Sequence, residues 1–372
     1  MTSRQRARDV GILIDGVPGE NNAITDVPGI EVGYSTIVSG DGALEVGRGP
    51  VRTGVTAILP RGKASSVPVF AGWFSLNGNG EMTGTTWIEE SGLLEGPIML
   101  TNTHSVGVVR DAVVSWQAKT GRLYQEFSNP VVAETYDGQL NDINGFHVKA
   151  EHALSAIESA KTGPVAEGNV GGGTGMVCFQ FKGGTGTASR RCTTNEHQHT
   201  VGVLVQANFG LRRHLVIGGV AVGKAIPTDR LPAMPKSPRA TERGEQGSII
   251  VVVATDAPLL PHQLKRLAKR ASMGLARTGS IAGNGSGDIF IAFSTANEAA
   301  APPVRSQEVV DLQMLTNDFV TPLFEATIEA TEEAILNALF AAETMTGIDG
   351  QTFEALPIER VRDLLGESLQ RK

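Results

Sequence analysis

Runs of β-branched and apolar residues alternate along this chain with segments whose apolar positions recur every three or four residues. Val51 to Leu59, Val67 to Phe74, Pro97 to Thr101, Val131 to Glu134, Met176 to Phe181, Val201 to Asn208 and His214 to Ile217 read as strands. His104 to Lys119 reads as a helix through Val108, Val109, Ala112 and Trp116, and His147 to Lys161 through Ala150, Leu154, Ile157 and Ala160. The alternation resumes with a strand from Ser248 to Thr255. An amphipathic helix then carries Leu260, Leu264, Leu267, Ala271 and Leu275 and ends at Gly279. A strand from Ile289 to Phe293 and helices from Gln307 to Phe319 and from Leu323 to Met345 complete the pattern. The spacing predicts a layered α/β protein with no internal repeat.

The sharpest change of character falls at Gly247-Ser248. Upstream, from Ile226, lie Pro227, Pro232, Pro235 and Pro238 among charges, then Arg243-Gly244-Glu245-Gln246. Downstream, Ile249 to Val253 is a core strand. A small hydroxyl residue thus heads a buried strand behind a loop that looks cleavable. That is the layout of a nucleophile released as a new N-terminus by self-cleavage. It is also ordinary turn chemistry before a strand. The candidate linker at 225–247 need not divide two domains, because the strand behind it is too apolar to stand without a sheet from the earlier part.

Composition narrows the class. The 372 residues are 41% hydrophobic and 19% charged, a globular balance, with a net charge of −7. That charge disfavours a nucleic-acid or anionic-membrane partner. The basic cluster from His262 to Arg270 reads as the solvated face of its helix. Two cysteines, Cys178 and Cys192, give no disulfide framework. The polar N-terminus lacks a signal-like apolar segment, and no apolar run approaches the ~18 residues of a membrane span. The expectation is a soluble cytoplasmic protein.

Several segments could carry chemistry. Gly168 to Gly175 fits neither nucleotide fingerprint and precedes a strand, so close backbone approach is the better reading. Cys192, Glu196, His197 and His199 lack the second ligand group that a metal site needs. Glu134 and Tyr136 sit at the C-terminal end of an apolar strand, a common place for ligand contacts or a capped strand end. Asn208, also at a strand end, can donate to an oxyanion or make an Asx-turn. Ser286 and Asp288 stand two apart, so extended backbone points both to one face. No Gly-x-Ser-x-Gly elbow and no triad histidine are present, so a serine hydrolase here would need another base.

Together these residues resemble the self-processing aminopeptidases that include the L-aminopeptidase D-amidase/esterase and the β-peptidyl aminopeptidases. The landmarks run in order over nearly the whole chain. They are Asp26-Val27-Pro28-Gly29-Ile30 with Val32-Gly33, Thr101-Asn102-Thr103, Glu134 to Gly138, Gly168 to Gly175, Gln206 to Gly210, Gly247-Ser248, Asn284 to Asp288 and Thr321 to Ala326. Asp288, where some β-peptidyl relatives carry Glu, sets the resemblance closest to the L-aminopeptidase branch.

The resemblance implies a four-layer α/β/β/α sandwich of the N-terminal-nucleophile hydrolase type. It implies one domain cut into chains 1–247 and 248–372, a homo-oligomer of such units, and no cofactor or metal. Ser248 would be the nucleophile, Ser286 and Asp288 its hydrogen-bonded support, and Asn208 the oxyanion donor. Tyr136 would line the site, Glu134 would bind the substrate's ammonium, and Trp73, Phe74 and residues 77–82 would wall the pocket. Substrates would be small peptides, amides or esters with a free amine. An amidase of the same fold acting on ω-amino acid or β-amino acid oligomers is the alternative among enzymes; relatives acting on synthetic or ω-amino acid oligomers use threonine at the junction, so Ser248 argues against those. A non-catalytic binding protein of the same fold is the alternative from another class. The intact set Ser248, Ser286, Asp288, Asn208 and Glu134 counts against it.

Overall fold

The computed structural model describes residues 5–226, 246–304 and 306–370. The proline-rich stretch from Pro227 to Glu245, read as a cleavable loop, lies outside the described residues. The others form two stacked sheets covered by helices on both outer faces. The smaller sheet has the strand order Glu31–Ser39, Val51–Leu59, Ile98–Asn102, Val131–Thr135. The larger has the order Leu93–Leu94, Val69–Ser75, Gly285–Ser294, Gln246–Thr255, His197–Asn208, Gly184–Thr194.

Alternating side chains bind the layers together. Ile58, Leu100 and Ala133 of the small sheet meet Leu204, Ile250, Val252 and Ile291 of the large one in an apolar middle layer. On the outer face of the large sheet, Ile249, Val251, Val253 and Phe290 pack under the helices Pro261–Arg277 and Thr321–Phe340. On the outer face of the small sheet, Val55, Met99 and Val132 pack under Val106–Thr120 and Ala150–Glu158. The expected α/β/β/α sandwich is the fold.

Most strands stand where the pattern places them, but the last of the expected helices ends at Phe340, with Met345 in a short strand, and three other segments differ in kind. Gln307 to Phe319 is not helical apart from a 3-10 turn at Asn317–Phe319. Its backbone is claimed elsewhere: Gln313 N–H donates to Asn297 Oδ1, and Leu315 N–H to Pro258 O. Such local competitors divert a weakly helical sequence. His214 to Ile217 is not a strand; Arg212–His214 is a 3-10 turn, and Ile217 bridges Val220. Met176 to Phe181 folds back on itself, because Phe179 and Gln180 take positive φ of 49° and 60° between the short strands Val177–Cys178 and Phe181–Lys182.

The chain's beginning is tied to its end by buried charge. Arg6 pairs with Glu167 at 2.8 Å, Arg8 with Glu333 at 2.8 Å, and Arg190 with Glu333 at 2.6 Å. Ala7 N–H donates to Asn337 Oδ1 at 3.0 Å. Glu333 and Asn337 lie on the Thr321–Phe340 helix, and Arg190 lies on the Gly184–Thr194 strand beneath it.

Candidate active site

Strand register assembles the site. In the antiparallel ladder Asn208 stands directly opposite Ser248. Directly opposed residues share a face, with Cβ atoms about 4.5–5.5 Å apart. Ile250 and Leu204 point into the middle layer, so alternation sends Ser248 and Asn208 the same way, and both are buried. On its other side the Ser248 strand runs parallel to Gly285–Ser294, with Gly247 opposite Ser286 and Ser248 opposite Gly287. Ser286 therefore neighbours the Gly247-Ser248 peptide, not the Ser248 side chain. Alternation from Phe290 places Ser286 and Asp288 towards the outer helices. Ser286 Oγ donates to Asp288 Oδ1 at 2.7 Å, and Asn77 Nδ2 holds Asp288 Oδ2 at 3.3 Å.

Glycines allow the close approach. A Cβ on Gly247 would lie 2.5 Å from Asn208 O and 2.7 Å from Phe209 Cα. The Gly247→Ala variant is therefore expected to push the 208–209 backbone away, with a loss of about 1–3 kcal/mol in stability. A thermal melt checks this; an unchanged melting temperature contradicts it. A Cβ on Gly80 would stand 3.3 Å from both Glu134 Oε1 and Gly287 Cα. The Gly80 backbone thus stands between the Glu134 carboxylate and the residue paired with Ser248.

Glu134 is buried and held by two donors. Thr103 Oγ1–H bonds Oε2, and the Glu81 N–H bonds Oε1 at 3.0 Å. Burial pushes its carboxyl above the ordinary range, the two donors pull it back, and the Glu81 charge adds to the rise. Each carboxylate oxygen keeps a second lone pair for a cation. Tyr136 is 47% exposed, its hydroxyl raised first by burial and then by Asp137. Its carbonyl accepts Asn208 Nδ2–H at 2.9 Å, while Asn208 Oδ1 accepts the Val177 N–H at 2.8 Å. One Asn208 N–H is left for a ligand. Trp73 stands opposite Ile291, four places beyond Gly287 along the strand. Among the described residues no hydrogen bond or ring contact joins it to Ser248, Asn208 or Glu134.

The supports of this cluster lie in the landmark segments, but their contacts show only in the fold. Asp137 is fully buried, bonded by Asn102 and Asn141, and burial pushes it up to about 6. It fixes the turn that carries Tyr136. The glycine-rich loop does bring backbones together: Gly172 N–H donates to Thr56 Oγ1, and a Cβ there would strike Leu100 O at 2.8 Å. His197 and His199 share a strand, with ring centroids 6.2 Å apart, but no group of three or more metal-binding side chains forms among the described residues. No described helix is long and apolar enough to cross a membrane.

Comparison with known proteins places the chain in a family. The model of peptidase family S58 matches residues 22–353. The chain belongs to peptidase family S58. It is 58% identical to the β-peptidyl aminopeptidase BapA of Sphingosinicella microcystinivorans, over 97% of this chain and 91% of that one. It is 44% identical to the enzyme of the same name from Sphingosinicella xenopeptidilytica, over 99% and 92%. The structure of an L-aminopeptidase D-Ala-esterase/amidase from Ochrobactrum anthropi superposes with a TM-score of 0.88 at 47% identity, over 98% of each chain. As an S58 member the chain is an enzyme, a serine peptidase with aminopeptidase/amidase activity on the N-terminal-nucleophile hydrolase fold.

Proposed function

We propose that the chain cuts itself between Gly247 and Ser248, and that the released Ser248 removes N-terminal residues from substrates with a free amine. The observation that carries this reading is the register. Ser248 is opposite Asn208, Gly247 is opposite Ser286, and Gly80 stands between Glu134 and Gly287.

In the precursor, Ser248 Oγ attacks the Gly247 carbonyl, the acyl group shifts from nitrogen to oxygen, and water hydrolyses the ester. The new α-amine has a reference pKa of about 7.7–8.0, close enough to neutral to take the proton of its own hydroxyl. It emerges beside Ser286, whose hydroxyl Asp288 orients. Glu134 then pairs with the substrate ammonium, Ser248 attacks the neighbouring carbonyl, and Asn208 Nδ2–H meets the oxyanion. The leaving amine takes a proton, and water releases the acyl group from Ser248. The ammonium of a β-residue stands one methylene further from its carbonyl. The 58% identity to a β-peptidyl aminopeptidase supports including such residues among the substrates.

The test compares an aminoacyl p-nitroanilide, its β-homologue and its N-acetylated form. The free amines should be hydrolysed and the acetylated form should be inert. Comparable turnover of the acetylated form would remove the ammonium from the recognition step.

A further inference from the structure

Lys182 is a buried cation that the reaction just described does not use. Its ammonium donates to Met176 O at 2.8 Å and Gly183 O at 2.7 Å, with Gly173 O at 3.4 Å. The first of these acceptors matters most. The Met176 carbonyl is one end of the Met176-Val177 peptide group, and the N–H at its other end donates to Asn208 Oδ1 at 2.8 Å. Asn208 Nδ2 donates in turn to Tyr136 O. The orientation of the Asn208 amide is fixed by its partners, because a backbone N–H only donates and a carbonyl only accepts.

A continuous line thus runs from the ammonium through one planar amide into a second, and ends on the N–H groups beside Ser248. Positive charge at a carbonyl oxygen draws electron density across the amide, which makes its N–H a stronger donor. The same shift then passes from the Val177 N–H into the Asn208 amide. Burying an ammonium is costly even when it is hydrogen-bonded, so bare structural need is a poor reason to keep one in the core.

We propose that Lys182 is a positioning residue which, through the Met176-Val177 peptide, orients and strengthens the Asn208 donor that meets the oxyanion. The proposal rests on the role given to Asn208 above. Ground-state recognition runs through Glu134, so the effect of Lys182 falls on kcat.

The test is a double-mutant cycle on hydrolysis of an aminoacyl p-nitroanilide, with folding followed by circular dichroism. Lys182→Met should lower kcat about tenfold, a fraction of the ~10²–10³ that a whole oxyanion donor supplies, and leave KM within about twofold. In the Asn208→Ala background the same change should lower kcat no further. Lys182→Gln, a neutral donor, serves if the methionine variant does not fold, and the same pattern is expected. If a variant stays uncut, the rate of chain cleavage on a gel replaces kcat in the same cycle. An equal loss in both backgrounds, or a change carried by KM, overturns the relay. Normal kcat in Asn208→Ala alone overturns the oxyanion assignment as well. Absence of turnover by the wild type strikes at the proposed function instead.

Discussion

Ser248→Ala is expected to run as one uncut chain and to hydrolyse no aminoacyl p-nitroanilide, whereas the wild type is expected to run as two chains, 1–247 and 248–372. The variant loses two things at once. Without Oγ there is no nucleophile for the Gly247 carbonyl, so the chain stays whole. Without cleavage there is no α-amine beside Ser286, so the base is missing too. Removing a hydrolase nucleophile typically costs on the order of 10⁶ in kcat. The fold should persist, because Ser248 is a small buried residue in a strand paired on both sides. Matching denaturation curves would separate lost chemistry from lost structure. A wild type that stays uncut yet active would sink the self-cleavage reading while leaving Ser248 as a candidate nucleophile.

Glu134→Gln should give the opposite combination, a chain that cuts itself but turns over substrate poorly. The internal Gly247 carbonyl has no free ammonium beside it, so cleavage does not need the carboxylate. Substrate binding does, and losing one partner of a buried ion pair costs on the order of 10²–10³-fold in kcat/KM. The pH profile gives the sign. Burial raises the Glu134 carboxyl above its ordinary value. As pH falls through that raised value the side chain becomes neutral and the ammonium loses its partner. The acid limb of kcat/KM in the wild type should therefore lie above the reference value of about 4.3 for glutamate. In Glu134→Gln that limb should vanish. An unshifted limb that survives the substitution would assign it to another group. An uncut Glu134→Gln chain would place the carboxylate in the cleavage step instead.

How much of this was legible in the sequence depends on which force each residue reports. The Val51–Leu59 and Ser248–Thr255 strands were plain because they are buried on both faces and read as continuous apolar runs. Gly184–Thr194 was invisible for the opposite reason. Its first seven residues are buried, yet it is built mostly from glycine, threonine, serine and arginine. A Cβ on Gly186 would lie 2.6 Å from Ala338 N, so small residues are what let the Thr321–Phe340 helix sit so close. Its Arg190 is sheltered by Glu333, not by apolar neighbours. Glu31–Ser39 was missed because it is an edge strand with its outer part exposed.

In the site, Ser248, Asn208, Glu134, Ser286 and Asp288 are polar groups at the ends of apolar strands, a pattern that ordinary turns and caps share, so their roles come from the family resemblance. Thr103, Asp137 and Asn77 fall within segments that the family resemblance marks, but their contacts with Glu134, Asn102 and Asp288 are tertiary and no local pattern shows them. The opposite facing of Ser248 and the Ser286-Asp288 pair follows from the parallel register alone.

The strand order of the large sheet carries a last implication. Gly285–Ser294 and Gln246–Thr255 lie in its centre, flanked by Val69–Ser75 on one side and His197–Asn208 on the other. Once the 247–248 bond is broken, the two inner strands belong to a different molecule from their neighbours on either side, apart from the two residues before the cut. Before the cut, refolding is a first-order process; after it, denatured halves must find each other by diffusion. The proposed cleavage would thus convert stability from a property of the sequence into a property of concentration, and dilution of the denatured cut enzyme should prevent recovery where dilution of the Ser248→Ala chain does not.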